Sequence, residues 1–165
     1  MHITAAKKEY LRSILFGIED SLVSTCAFIA GVSVGSSNNH FIILSTIVAI
    51  FIEGVSMGVG EYVSDDAVEG LDKIKRHRDN PLLSGLLLCV SYLLAGMVPF
   101  LPIVFFPFPL SLVISAALAL TGLFLLGFLK GKLLKVSPIR GGIKILIVGG
   151  VTTVLGIVIG LIFRF

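Results

Sequence analysis

This sequence has little charge and little of the polar surface that a water-soluble protein needs. Only 14% of its 165 residues are charged, whereas about 25% is usual in soluble globular proteins. Hydrophobic residues make up 56%, and the mean hydropathy is +1.05. A small soluble domain must cover its core with polar residues, and a disordered chain has few apolar residues, so both classes are excluded. The composition predicts an integral membrane protein.

Cysteine is scarce, and charge of one sign is not concentrated in a patch. Cys26 and Cys89 both lie inside apolar runs, which is typical of small buried side chains and not of a disulfide or a metal knuckle. The net charge of +3 would indicate a nucleic-acid partner only if the basic residues formed a patch on a soluble surface. They lie instead between apolar segments, so we expect contact with the lipid bilayer and no nucleic acid.

Long apolar runs are abundant, and a helix that crosses the bilayer needs about 20 mostly apolar residues. Five candidate spans lie at about 14–35, 41–63, 82–105, 109–130 and 143–163. We expect the first to be a helix and not a cleaved signal peptide, because it carries two acids and lacks a small-residue cleavage site. We therefore predict an all-α fold with five transmembrane helices in a single transmembrane domain, residues 1–165.

The basic residues fall almost entirely on one side of this arrangement. With five spans, one side of the membrane holds the N-terminus, the loop between the second and third spans, and the loop between the fourth and fifth. These segments hold 12 of the 13 Lys and Arg residues, which leaves Arg164 for the other side. Because basic loops stay in the cytoplasm, we predict a cytoplasmic N-terminus.

Residues 64–80 form the only sizeable polar segment, on the predicted cytoplasmic side. Apolar residues recur at helical spacing from Val63 to Ile74, so the second span is expected to continue as an amphipathic helix that Pro81 ends. Acids and bases are mixed in this segment, which fits a solvated helix face. A surface that collects metal is the alternative.

Acidic residues inside the first two spans are the most unusual feature, because a charged group at the centre of a membrane helix costs about 2.5 kcal/mol or more. In the first span Asp20 shares one helix face with Ser24 and Gly31, whereas bulky apolar residues fill the other faces. Glu19 points about 100° away from that face. We expect Glu19 either to reach the lipid headgroups or to pair with Arg12.

The second span carries Glu53, Met57 and Glu61 at spacings of four residues, which places them on one face. Carboxylate oxygens bind most divalent cations, and a thioether sulfur favours transition metals over Mg²⁺ and Ca²⁺. Taken singly, Met57 is typical of core packing and Glu61 of a glutamate at a helix end. Glu53 lies near mid-span with no intramembrane basic residue to neutralise it. Together with Asp20, these residues favour a path for a metal cation.

The chemistry of these acids favours transport over catalysis. A carboxyl group in lipid favours its neutral form and a bound cation favours the carboxylate, so the acids can exchange protons for metal, which suggests antiport. The three histidines lack helical metal-ligand pairing, and no nucleophile–base pair or phosphate-binding glycine loop is present. A membrane enzyme that transfers lipid head groups would need several aspartates and a nearby arginine, so we expect no enzyme.

Two stretches resemble a known family. Residues 17–24 (GIEDSLVS) resemble the first helix of the vacuolar iron transporter family, and residues 56–64 (SMGVGEYVS) resemble its second-helix signature. Segments that resemble the later helices are 81–82, 96–102, 122–127 and 140–142. The likeness covers nearly the whole chain and implies five spans with a cytoplasmic N-terminus.

The resemblance implies a homodimeric transporter that moves Fe²⁺, and often Mn²⁺, out of the cytoplasm, commonly in exchange for protons. It places the path between the first two helices of each subunit, at the dimer interface. Asp20 falls on the family's first-helix aspartate, Met57 on its second-helix methionine and Glu61 on its glutamate. The metal is then a transported substrate, and no permanently bound cofactor is expected.

Three features depart from the family pattern. Ser21 follows the aspartate where glycine is usual. Glu53 stands where a small residue is usual, while a carboxylate that some members carry one turn earlier is Ala49 here, so Glu53 is expected to replace it. Many members insert a glutamate-rich cytoplasmic domain after the second helix, and only residues 64–80 stand there. The acids of this segment are at most a remnant of it: Asp65, Asp66, Glu69 and Asp72.

The sequence therefore predicts export of Fe²⁺ and/or Mn²⁺ through a dimer-interface path lined by Asp20, Glu53, Met57 and Glu61. The expected location is the plasma membrane in a prokaryotic cell, and a vacuolar or other organellar membrane in a eukaryotic one. The alternative is a non-transporting membrane scaffold or regulatory subunit, in which the acids only pack against a partner protein.

Overall fold

The chain folds into long α-helices. The computed structural model describes residues 5–36, 38–71 and 80–164. Over these residues the helices are α1 (Ala5–Gly35), α2 (Asn39–Leu71), α3 (Pro81–Phe105), α4 (Leu110–Leu133) and α5 (Pro138–Ile162), with no strand. All five are long and apolar enough to cross a membrane. The prediction of an all-α membrane protein with five spans is confirmed.

The polar segment after the second span is helical where the structure describes it. α2 continues without interruption to Leu71, as the apolar spacing from Val63 predicts. Residues 72–79, which include the rest of that predicted extension, lie outside the described residues. α3 then begins at Pro81, where the Asn80 side chain accepts hydrogen bonds from two free amides of the first turn.

α1 lies at the centre of the bundle and contacts the other four helices. Its approach to α5 depends on glycine, since a Cβ added to Gly31 would lie 2.8 Å from the carbonyl oxygen of Gly156. α2 approaches α3 in the same way, since a Cβ on Gly58 would lie 2.7 Å from the carbonyl oxygen of Gly85. Such close backbone contacts stabilise helix pairs in lipid, where burial of apolar surface adds little.

α2 packs on α3 through a buried stripe at four-residue spacing, formed by Ile42, Thr46, Ile50, Gly54 and Gly58. Its opposite face is exposed and largely apolar, as expected for contact with lipid. Between these two faces lie Glu53, Met57 and Glu61. The helix packing brings Glu61 into contact with Arg12 and Ser13 of α1, and Glu53 to a cavity that α1 also lines, so both lie at the groove between α1 and α2.

Candidate cation path

The four predicted metal ligands lie in the α1–α2 region but do not form one compact cluster. Asp20 is half-buried on α1, and on α2 Glu53 is exposed while Met57 and Glu61 are half-buried. Among the described residues, no three His, Cys, Asp or Glu side chains gather closely enough to hold a metal ion within one chain. The acids instead form a central pair, Asp20 and Glu53, and a separate group at one end of the bundle.

The central pair lies near the middle of the two spans. Asp20 and Glu53 are close enough to interact electrostatically, across the groove between α1 and α2. Within the described residues neither carboxylate contacts a basic side chain. Two like charges at this depth repel each other and are poorly solvated, so an added cation would stabilise the pair.

A tyrosine of α3 supports the central pair. The hydroxyl of Tyr92 donates a hydrogen bond to Glu53 Oε2, and it lies 2.7 Å from Ser24 Oγ of α1. Tyr92 is completely buried, at 0% exposure. Our sequence reasoning missed this residue. The available signal was its position in the middle of a span, away from the membrane interfaces where tyrosine is enriched.

The second group of acids lies at the end of the bundle where α1 begins and α2 ends, here called the basic end. Glu61 Oε1 accepts hydrogen bonds from Arg12 Nη2 at 2.9 Å and from Ser13 Oγ at 2.8 Å. Arg12 Nε also pairs with Glu9 Oε2 at 2.9 Å, and its Nη2 lies 3.8 Å from Asp65. Glu61 is therefore already paired with a cation of the chain itself, the guanidinium of Arg12.

The pairing of Glu19 with Arg12, one of the two predicted environments, is wrong. Glu19 forms an ion pair with Lys130 of α4. Seven residues along a helix separate side chains by about 10 Å, so Arg12 lies too far along α1, where it pairs with other acids. α4 packs against the face of α1 that carries Glu19 and supplies Lys130 at closer range.

Two cavities approach the groove from opposite ends. At the basic end, a cleft of about 820 Å³ has Arg12, Glu61 and Lys130 in its walls. Toward the other end, a cavity of about 560 Å³ between α1, α2 and α5 includes Ser24 and Glu53. The cleft and the cavity therefore each reach one of the predicted acids of α2, Glu61 and Glu53 respectively.

Comparisons with known proteins give the chain's relatives. A family model described as the VIT family matches residues 11–78 and 65–161, which together span all five helices. A protein named vacuolar iron transporter homolog 2 from Oryza sativa subsp. japonica is 23% identical over 161 residues, which is 87% of this chain and 85% of that protein. A protein of the same name from Arabidopsis thaliana is 26% identical over 154 residues, 87% of this chain and 79% of that protein.

Proposed function

The chain belongs to the VIT family, and we propose that it exports a divalent transition metal, Fe²⁺ or Mn²⁺, from the cytoplasm. The family match and the two relatives named for vacuolar iron transport support metal transport as its activity, which fits a protein that is not an enzyme. In this proposal the basic end faces the cytoplasm, as the distribution of Lys and Arg predicts. The membrane is the plasma membrane of a prokaryote, or a vacuolar or other organellar membrane of a eukaryote.

The observation that carries the proposal is the central pair of carboxylates without a basic partner. Asp20 and Glu53 interact across the α1–α2 groove, and Glu53 lines the cavity that leads away from the basic end. A divalent cation between them would neutralise both charges in a region where water cannot. Protons would satisfy the same carboxylates after the metal leaves, which gives a physical basis for proton antiport.

Met57 gives the path its preference for transition metals. It follows Glu53 by one turn on the same face of α2 and is half-buried. A thioether is a poor ligand for Mg²⁺ and Ca²⁺, and alongside carboxylates it favours a transition metal such as Fe²⁺. Glu61, one further turn along α2, would receive the ion at the basic end once Arg12 releases it.

A second copy of the chain would complete the path. Glu53 is exposed near the middle of a span, and a carboxylate facing lipid at that depth is costly. The same exposed sector of α2 carries Ser56, Gly60 and Ser64, whose small side chains let another helix approach closely. A homodimer formed through the first two helices would therefore cover Glu53 and enclose the ion between subunits.

The direct test is uptake of Fe²⁺ and Mn²⁺ into proteoliposomes that contain the purified protein. We expect Asp20→Asn and Met57→Ala to lose most of the uptake, because each removes a ligand from the path. Matched controls are Asp66→Asn, an exposed acid of α2, and Met97→Ala, a half-buried methionine of α3, and both should transport normally.

Each result separates the alternatives. Normal uptake by both Asp20→Asn and Met57→Ala would refute the residue assignment while leaving a transporter. A folded wild-type protein that moves neither metal would favour the scaffold or regulatory subunit. Metal flux that is indifferent to an imposed pH gradient would refute proton antiport alone.

A further inference from the structure

We propose that Tyr92 is a positioning residue of the cation path: its hydroxyl holds the Glu53 carboxylate in the α1–α2 groove and thereby sets the affinity for the transported ion. This inference rests on the function proposed above and deepens it. Tyr92 lies on α3, outside the two helices that carry the predicted ligands. Its role is to hold a ligand in place, and it is not itself a metal ligand.

The hydrogen bonds around the Tyr92 hydroxyl have a defined direction when Glu53 is ionised. A carboxylate can only accept, so the single phenolic proton goes to Glu53 Oε2. The Ser24 hydroxyl, 2.7 Å away, must then donate to the Tyr92 oxygen. The resulting chain runs from Ser24 through Tyr92 to Glu53 and links α1, α3 and α2 at one level of the membrane.

The tyrosine is itself held rigidly. Ser21 Oγ donates to the Tyr92 carbonyl oxygen at 2.6 Å, which fixes the backbone against α1. A Cβ added to Gly54 of α2 would lie 3.2 Å from Tyr92 Cδ1, and a Cβ on Gly17 of α1 would lie 3.3 Å from its amide nitrogen. Gly54 therefore leaves room for the ring, and Gly17 leaves room for the Tyr92 backbone. A ligand is positioned most precisely when its support is fixed in this way.

Glu53 needs this support because little else holds it. Its side chain is exposed on the surface of the chain, and Tyr92 is its only hydrogen-bond partner within the described residues. Without the hydroxyl, the carboxylate is free to leave the groove and would have to be ordered again each time an ion binds. Loss of a hydrogen bond to a charged group then corresponds to an affinity about tenfold lower.

The test separates positioning from packing. Tyr92→Phe keeps the ring in place and removes only the hydroxyl. We expect the KM for Mn²⁺ uptake into proteoliposomes to rise about tenfold with kcat little changed, because the translocation steps keep their other groups. Ser24→Ala, which removes only the donor to Tyr92, should raise KM in the same direction by less. Tyr10→Phe is the matched control, since that hydroxyl contacts the backbone of Asn80 at the basic end, and its KM should equal that of the wild type.

A double-mutant cycle shows whether Tyr92 acts through Glu53. Equilibrium binding of Mn²⁺ to the purified protein in detergent is measured for the wild type, Tyr92→Phe, Glu53→Gln and the double variant. Positioning predicts that Tyr92→Phe weakens binding in the wild-type background and has no further effect once Glu53 is Gln.

Equal effects in both backgrounds, or unchanged affinity in Tyr92→Phe while Glu53→Gln binds weakly, would overturn the inference. If Glu53→Gln binds Mn²⁺ as well as the wild type, Glu53 is not a ligand and the inference fails with that assignment. If the wild type transports no metal, the proposed function itself fails.

Discussion

The acids of α1 and α2 differ in whether the chain itself supplies a cation to neutralise them. At the basic end Glu61 pairs with Arg12, and Glu19, next to Asp20 but on another face of α1, pairs with Lys130. Near mid-membrane, Glu53 has only the neutral hydroxyl of Tyr92, and no described basic side chain contacts it or Asp20. The same residue types therefore sit in two environments, one with a built-in cation and one without.

This difference indicates which acids can take a transported ion. A carboxylate with a resident cation gains little from a metal, because the metal must first displace an ion pair. A carboxylate without one gains the full interaction. The central pair is therefore the stronger candidate for binding the transported ion. Glu61 is better suited to bind the ion only briefly as it enters the path.

The largest expected effect comes from giving the central pair a resident cation. Glu53→Lys would place an ammonium group beside Asp20 and make the centre resemble the basic end. We expect Mn²⁺ uptake into proteoliposomes to fall by about a hundredfold or more, since a lysine at this depth repels the metal and pairs with Asp20. Asp66→Lys changes the charge equally at an exposed position of α2 and should have little effect. Substantial uptake by Glu53→Lys would show that the central pair is not on the path.

The next-largest expected effect is on stability. It comes from a substitution that breaks one of the ion pairs within the chain. Lys130→Ala leaves Glu19 as an unpaired acid within a span, and both side chains are less than a third exposed. We expect a loss of about 2 kcal/mol of stability, seen as a lower melting temperature in detergent. The combination with Glu19→Gln should restore most of the loss, because no unpaired charge then remains. If the double variant melts as low as Lys130→Ala, the loss reflects packing of the lysine stem and not the ion pair.

The sequence predicts the helices well and the partners of the acids poorly, for physical reasons. Lipid cannot satisfy backbone amides, so every long apolar run must be a helix, and helical spacing places Glu53, Met57 and Glu61 on one face. Partners depend on which helices pack together, and that information is not local. The pattern of α1 alone favours Arg12 for Glu19, whereas the packing of α4 supplies Lys130. Nothing in the pattern of α3 indicates that Tyr92 contacts α2.

The smallest expected effect tests whether Arg12 competes with the metal at the entrance. Arg12 is 59% exposed, and an exposed ion pair is worth about 1 kcal/mol or less. Arg12→Gln should therefore lower the KM for Mn²⁺ entering from the basic end by about fivefold or less, and the gain should shrink at high ionic strength as the charges are screened. Lys8→Gln removes a charge from the same cleft but no ion pair that the structure describes, so it should leave KM unchanged. An unchanged KM in Arg12→Gln would mean that Glu61 does not receive the ion and that the path begins deeper, at the central pair.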